Sequence, residues 1–188
     1  MEELGRLESG SRAEGRTAVV PSDERLLKEA KAGSRRATEA LVRRHWDRAH
    51  RIASTILGDE HLAEDVTQDA MVSILSNLRR FDARRPFVPW LHRVVTNRAI
   101  DLERSRARRE QIFGRVQTPQ GDDPRREALV AALGSLPLEQ RTVVVLRHVA
   151  GYGTNEIGRM LGVRRGTVGS RLRRGLDQLR NELEDHHG

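Results

Sequence analysis

The sequence predicts an all-α fold of two small helical domains joined by a flexible linker, and three observations carry that expectation. Apolar residues recur at three- and four-residue spacing through most of the chain. Glycine, proline and short polar capping residues interrupt the pattern at intervals that suit helix ends. Between residues 114 and 123, GRVQTPQGDD, periodicity stops altogether and turn-forming residues take over. The expected organisation is a disordered tail at 1–21, a first domain at 22–113, the linker at 114–123 and a second domain at 124–188.

Composition agrees with this and narrows the partner. The chain has 188 residues, 37% hydrophobic, 32% charged and 3% aromatic, which suits small helical domains rather than one large core. A formal charge of +7 favours a polyanionic partner, nucleic acid or acidic lipid. All the basic residues except Lys28 and Lys31 are arginine. Cysteine is absent, which excludes disulfides, thiolate zinc sites and thiol redox sensing. No apolar run approaches the roughly 20 residues of a membrane span. The first residues, with Glu2, Glu3 and Glu8, lack the apolar core of a secretory signal. A cytoplasmic location without membrane insertion is therefore expected. His45 and His50 lack companions at metal-ligand spacing, and no cofactor is expected.

Residues 1–21 are polar and aperiodic, hence the disordered tail. Pro21 and Ser22 open a first helix with Leu26, Leu27 and Ala30 inside, which Gly33 ends. A longer helix begins near Ser34 on the stripe Ala37, Leu41, Trp46, Ala49, Ile52, Ala53 and Ile56, and stops at Gly58. The next is capped by Asp59 and runs to about Arg80 on Leu62, Val66, Ala70, Ile74 and Leu78.

The other face of that third helix carries Glu60, Glu64, Asp65 and Asp69, with Gln68 among them. Acids in a first turn gain about 0.3–1 kcal/mol each from the helix dipole, but Glu64, Asp65 and Asp69 lie further in. Such a face repels phosphates and suits a basic protein partner, which complementary charge would steer and register. Carboxylate catalysis is the rival, yet no histidine, lysine or cleft signature accompanies it.

The segment 81–88, FDARRPFV, is a linker of different character, and Pro89 fits the first turn of a helix through Trp90, Leu91, Val94, Val95, Ala99 and Leu102. Phe81, Phe87 and Trp90 beside Arg84, Arg85 and Arg93 resemble the equipment that holds unstacked bases, where stacking contributes roughly 1–3 kcal/mol per base. The plainer reading has Phe81 and Trp90 plugging the helix–helix corner, with function in the loop they anchor. Arg98, Arg104, Arg106, Arg108 and Arg109 continue as a basic strip suited to phosphate contacts. Asn97 has the chemistry to read a base edge or to bond the corner's backbone.

The second domain starts with a helix at Asp123 and Pro124 carrying Leu129, Ala132 and Leu133. LPLEQR opens another with Val143, Val144, Val145 and Leu146; the valine run locally suits a strand, but length, the preceding proline and the Gly151 stop favour helix. Thr154 then caps a short helix with Ile157, Met160 and Leu161 inside, Gly162 ends it with positive φ, and Val163 packs the turn. The last helix buries Val168, Leu172, Leu176, Leu179 and Leu183, so at roughly 100° per residue Ser170, Arg173 and Arg174 face outwards. Arg165, Thr167 and Arg171 flank them. This pattern matches a helix-turn-helix that enters a major groove by the N-terminal part of its second helix. Taken alone it also fits a solvated arginine face.

The stretches AEDVTQDA, RRFDARRPFVPWLHRVVTNRAIDLERSR and SLPLEQRTVVVLRHVAGYGTNEIGRMLGVRRGTVGSRLRRGLDQLR occur in this order. Together they resemble the bacterial sigma factors, specifically the extracytoplasmic-function group, over roughly residues 23–183. The resemblance implies that the helix at 63–78 binds the β′ coiled coil of core RNA polymerase, with Asp65, Gln68 and Asp69 as contacts. It implies that the loop 81–88 and the following helix melt the downstream promoter element and hold flipped bases, with Arg84, Arg85, Phe87, Trp90, Asn97 and Arg98 concerned. Removing each base from the stack costs a few kcal/mol. The linker 114–123 would thread towards the RNA exit channel. The second domain would bind the β flap and read the upstream element through Arg165, Thr167, Ser170, Arg171, Arg173 and Arg174. One departure is Gly169, where relatives usually carry Lys or Arg; glycine there costs about 0.5–1 kcal/mol of helix stability. The implied function is a non-enzymatic initiation factor that directs polymerase to promoter DNA and is held in reserve by an anti-sigma factor. The alternative is a dimeric helix-turn-helix regulator, which would bind DNA without polymerase.

Overall fold

The computed structural model describes residues 21–82, 84–113 and 124–185. The expected linker at 114–123, the terminal histidines and all but the last residue of the expected tail lie outside them. The described residues fold as α1 (Asp23–Lys31), α2 (Arg35–Leu57), α3 (Glu60–Asn77), a 3-10 turn (Leu78–Arg80), α4 (Phe87–Phe113), α5 (Pro124–Ser135), α6 (Leu138–His148), α7 (Thr154–Leu161) and α8 (Arg165–Asp185), with no strand among them.

Local chemistry sets most of the helix ends. Ser22 Oγ accepts from the Arg25 amide at 3.3 Å, Ser34 Oγ from Ala37 at 3.3 Å and Asp59 Oδ1 from Leu62 at 3.1 Å, each satisfying an amide that has no partner within its helix. At the C-terminal ends of α2 and α7, Gly58 and Gly162 have φ of 66° and 68°, a left-handed conformation that would cost another residue about 1–2 kcal/mol.

Four boundaries or faces differ from the expectation, and a fifth element agrees with it in surroundings that periodicity does not show. Helix α7 is capped by Gly153 rather than Thr154, because the Glu156 carboxylate reaches back to accept from the Gly153 amide at 2.8 Å. Helix α4 begins at Phe87, inside the expected linker, so Pro89 sits within the first turn, where its missing N–H is harmless. The α-helical part of α3 ends at Asn77, and the tighter 3-10 turn after it delivers Leu78 into the core. In α5, Leu129 faces solvent and Val130 instead turns towards the end of α2, within van der Waals reach of the space beside Gly58. The valine run of α6 is helical as expected, yet it is enclosed on every side: residues 141–146 are all buried, and packing overrides local β preference.

Helix α2 is the axis of the first half and packs against α1, α3 and α4. Asp23 clips α1 to it, with Oδ1 2.7 Å from Arg44 Nη1 and Oδ2 3.0 Å from His45 Nε2. Lys31 Nζ donates to the Phe81 carbonyl at 2.7 Å and holds the corner before α4. In the second half, α8 crosses α5, α6 and α7. The halves also pack on each other, α6 lying against α2 and α4, and α7 against α4. One apolar core runs through both, joining Ile52, Ile56, Leu91 and Val95 to Val143, Val145, Leu146 and Ile157. A smaller cluster, Ala132, Leu133, Leu136, Val144 and Leu179, belongs to the second half alone.

Candidate nucleic-acid interface and acidic docking face

Helix α3 separates its two faces cleanly. Ala63, Val66, Thr67, Ala70, Met71 and Ile74 are buried, while Glu64, Asp65, Gln68 and Asp69 are all exposed. The exposed Val72 adds an apolar side chain to the outer surface of the same helix. An acidic rim with an apolar element is chemistry for a protein partner, since it gives both steering and something to desolvate.

The corner between α3 and α4 is an aromatic plug. Phe81 stacks on Trp90 with centroids 4.5 Å apart and planes at 25°, and Phe87 meets both edge-on at 5.9 Å. His45 closes the group at 5.6 Å from Phe87. Phe81 and Phe87 are buried and Trp90 is half-buried, so Phe87 presents no free face on which a base could stack in this arrangement. Arg84 and Arg85 stand exposed on the loop that the plug anchors; Asp82 bonds the Arg84 amide at 3.0 Å and shapes the turn. Along α4, Asn97 is exposed, Arg98 is half-buried, and Arg104, Arg108 and Arg109 are exposed.

The helix-turn-helix is formed as expected. Ile157, Met160 and Val168 are buried between α7 and α8, and the Val163 amide bonds the Gly158 carbonyl at 3.0 Å across the turn. Arg165, Arg173 and Arg174 are exposed; Thr167, Ser170 and Arg171 are half-buried. Ser170 Oγ donates to the Thr167 carbonyl at 3.1 Å, which leaves its lone pairs available on the outer side.

The structure brings together two residues expected to serve different promoter elements. Asn97 of α4 and Arg171 of α8 line one hollow of about 350 Å³, with Asp101, Arg104, Glu139 and Thr142 around it. Arg104 lies 3.5 Å from Glu139 across the junction.

Sequence reasoning missed the residues that hold this junction. Arg141 is buried; its Nη1 donates to the Ile56 carbonyl at 2.7 Å and to Glu103 at 3.1 Å, while Nη2 reaches the Gly134 and Leu136 carbonyls at 3.0 and 3.3 Å. Arg48 Nη2 donates to the Ala150 carbonyl at 2.7 Å. His92 Nδ1 and the Tyr152 hydroxyl share a buried hydrogen bond of 2.7 Å. Burial, with the charges of Arg48 and His45 beside it, pushes the His92 imidazole down to about 4, so it is neutral near pH 7. Burial also pushes the Tyr152 phenol up to about 12. An arginine inside an amphipathic helix reads as surface, and only its backbone partners, distant in sequence, reveal otherwise.

No helix of the described residues is long and apolar enough to cross a membrane, and no group of three histidine or acidic side chains among them is placed to hold a metal ion.

Comparison with known proteins assigns both halves. Sigma-70 region 2 matches residues 41–109, and Sigma-70, region 4 matches residues 126–179. The chain is 38% identical to the ECF RNA polymerase sigma factor SigE of Mycolicibacterium smegmatis over 79% of its own length and 62% of that protein's. It is 30% identical to the ECF RNA polymerase sigma factor SigW of Bacillus subtilis over 86% of its length and 97% of that protein's. Among solved structures, CnrH in complex with the cytosolic domain of CnrY superposes with a TM-score of 0.68 at 30% identity, covering 87% of this chain and 97% of that one. The chain therefore belongs to the sigma-70 family of RNA polymerase sigma factors, in its extracytoplasmic-function (ECF) group.

Proposed function

We propose that this protein binds core RNA polymerase and directs it to a two-part promoter, with polymerase supplying all the catalysis. The observation that carries the reading is the division of charge between two folded surfaces. Helix α3 exposes carboxylates at Asp65 and Asp69, and α8 exposes guanidinium groups at Arg165, Arg173 and Arg174. A polyanion is repelled by the first surface and drawn to the second. Asp65, Gln68 and Asp69 contact the β′ coiled coil. Arg165, Thr167, Ser170, Arg171, Arg173 and Arg174 read the upstream element in a major groove, while the second half engages the β flap. Arg84, Arg85, Trp90, Asn97 and Arg98 act on the downstream element, and Phe87 serves it by fixing the corner. Residues 22–113 and 124–188 are the two working domains, with 114–123 as the connection. The protein works in the cytoplasm, and a regulator of the anti-sigma kind holds it in reserve. The complex formed by CnrH, similar across most of this chain, supports a protein regulator.

Co-purification with core polymerase, followed by transcription from a genomic promoter library, tests the reading directly. Initiation at a shared two-part sequence is the expected result. Binding to a palindromic duplex alone, with no association with polymerase, would establish the dimeric regulator instead. Arg173→Ala should weaken upstream-element binding and lower its salt slope by about 0.9 for each phosphate that is no longer neutralised. Asp65→Ala and Asp69→Ala should weaken polymerase binding and leave that slope unchanged. A common defect in free-DNA binding from both sets, with polymerase binding intact, would sink the assignment of separate surfaces.

A further inference from the structure

We propose that α1 braces the promoter-opening loop, with Lys31 and the Asp23–His45 pair as positioning residues that hold the two ends of that loop in the shape that receives a flipped base. The inference rests on the promoter reading above and deepens it, because it names residues outside the loop that decide how well the loop works.

The loop between the 3-10 turn and α4 has two attachment points, Phe81 and Phe87, and bonds from α1 bear on both. At the entry, Lys31 Nζ donates to the Phe81 carbonyl at 2.7 Å. That oxygen belongs to the peptide leading into Asp82, whose side chain accepts from the Arg84 amide at 3.0 Å and whose carbonyl accepts from the Arg85 amide at 2.9 Å. The ammonium thus fixes the plane from which the turn carrying Arg84 and Arg85 starts. At the exit, Asp23 Oδ2 lies 3.0 Å from His45 Nε2, and the His45 ring lies 5.6 Å from that of Phe87, the first residue of α4. Phe81 meets Phe87 edge-on and stacks on Trp90, so both attachment points and Trp90 move as one group.

A brace has to be fixed itself, and α1 is. Ser22 caps it, Leu26 and Leu27 are buried, and Asp23 Oδ1 is 2.7 Å from Arg44 Nη1 of α2. Lys31 is half-buried and its charge is spent on a backbone carbonyl, a charge-assisted bond of the stronger kind, whereas Arg84 and Arg85 stand exposed for DNA. The division of labour is therefore between a residue that shapes the loop and residues that the loop presents. A loop already in its working shape is not ordered at the expense of binding, and that saving appears as affinity for the unstacked strand. These bonds reach neither Asp65 and Asp69 of α3 nor the arginines of α8, so loosening them spares polymerase docking and upstream reading.

Lys31→Met keeps the stem and removes the donor, while Lys31→Arg keeps a charged donor of another shape. Each full-length variant is assembled with core polymerase and compared with wild type on two probes. One is a labelled single strand carrying the non-template downstream element found by library transcription, and the other a duplex carrying only the upstream element. In Lys31→Met, affinity for the single strand should fall about tenfold, and promoter opening, followed by a base analogue that brightens on unstacking, should slow by a similar factor. Affinity for polymerase and for the upstream duplex should stay within about twofold of wild type. Lys31→Arg should recover to within about threefold on the single strand. Asp23→Ala, which loosens the exit alone, should show a smaller loss on the same probe. Wild-type single-strand affinity and opening in Lys31→Met overturn the proposal, as does an arginine variant no better than the methionine one, or an Asp23→Ala variant indistinguishable from wild type. A loss shared equally by polymerase binding also overturns it, being the mark of a weakened domain rather than a misplaced loop. If circular dichroism shows that Lys31→Met has lost helix, Lys31→Gln is judged by the same criteria. A wild type that opens no promoter sinks the promoter reading, whereas normal opening by both wild type and Lys31→Met sinks the brace alone.

Discussion

The two halves of this molecule are stabilised in different ways. The first half encloses its own interior around α2, with Leu41, Ile52, Ile56, Ile74 and Leu91 almost completely buried and Asp23 clipping α1 to the bundle. The second half divides its apolar residues between two places. Val144 and Leu179 face the small local cluster, while Val143, Val145, Leu146 and Ile157 complete the core of the first half. The first half is thus the platform, and α6 and α7 of the second half complete their burial against it.

Core truncations should show the difference most strongly. Leu91→Ala removes a fully buried side chain from the platform and should cost about 2–5 kcal/mol, unfolding both halves together. Leu179→Ala lies in the small cluster, is 8% exposed, and should cost about 2 kcal/mol with the loss centred where α5, α6 and α8 meet. Urea unfolding followed by segment-resolved hydrogen exchange distinguishes them. Equal midpoint shifts with the same amides exposed would show that the molecule is a single cooperative unit.

Arg141→Ala comes next, because it strikes the junction and the second half at once. It strands the Ile56, Gly134 and Leu136 carbonyls and leaves Glu103 without its buried partner, a loss of about 3–5 kcal/mol when such a pair is broken from one side. Arg141→Lys should rescue only part of this, since an ammonium cannot present the two-nitrogen fork that serves four acceptors. A lysine variant with the wild-type urea midpoint would contradict the assignment of Arg141 as a fork.

The residues of that junction mark the limit of what the sequence made legible. Helix positions came from local signals, the stripes and the Ser22, Ser34, Asp59, Gly58 and Gly162 ends, and these hold in the structure because capping is decided within a few residues. The outward direction of Asp65, Asp69, Arg173 and Arg174 was legible for the same reason. Periodicity reports that a face is buried but not against what, so nothing in the valines of α6 disclosed that they fill the core of the first half. Phe87 misled in the opposite direction: beside two arginines it reads as a base platform, while its burial depends on His45, Phe81 and Trp90 arriving from other parts of the chain.

A smaller effect comes from pH and acts where the two halves meet. His92 is held down to about 4 where it is buried against Tyr152, against an ordinary value near 6.5 once solvated. The folded state therefore binds fewer protons than the unfolded chain. Its advantage is complete above about pH 6.5 and declines as pH falls towards 4, by at most about 1.4 kcal/mol per unit. The other ionisable groups facing the pair are His45 and Arg48 from α2, with Glu156 beside Tyr152. The urea midpoint should fall between pH 7 and 5, and His92→Phe should flatten the response. A slope that survives in the phenylalanine variant would assign the effect to another group.

The smallest expected effect compares two glycines within α8. A Cβ at Gly169 would meet nothing within 4 Å, whereas one at Gly175 would lie 3.0 Å from Val144 Cγ2 and 3.4 Å from Gln140 Cβ. Gly169→Ala should therefore deliver the full helical gain, about 0.5–1 kcal/mol. Gly175→Ala should gain less, because Val144 sits in the local cluster and must shift to admit the methyl group. Thermal unfolding of the two variants ranks them. If Gly175→Ala proved the more stabilising, the packing of α6 on α8 would be looser than these distances indicate, and the second half would move as two pieces rather than one. Gly169→Ala also bears on promoter binding, since it stabilises the reading helix without adding a charge. Upstream-element affinity should stay within about twofold of wild type while the melting temperature rises, which separates helix stability from the added charge of Gly169→Lys.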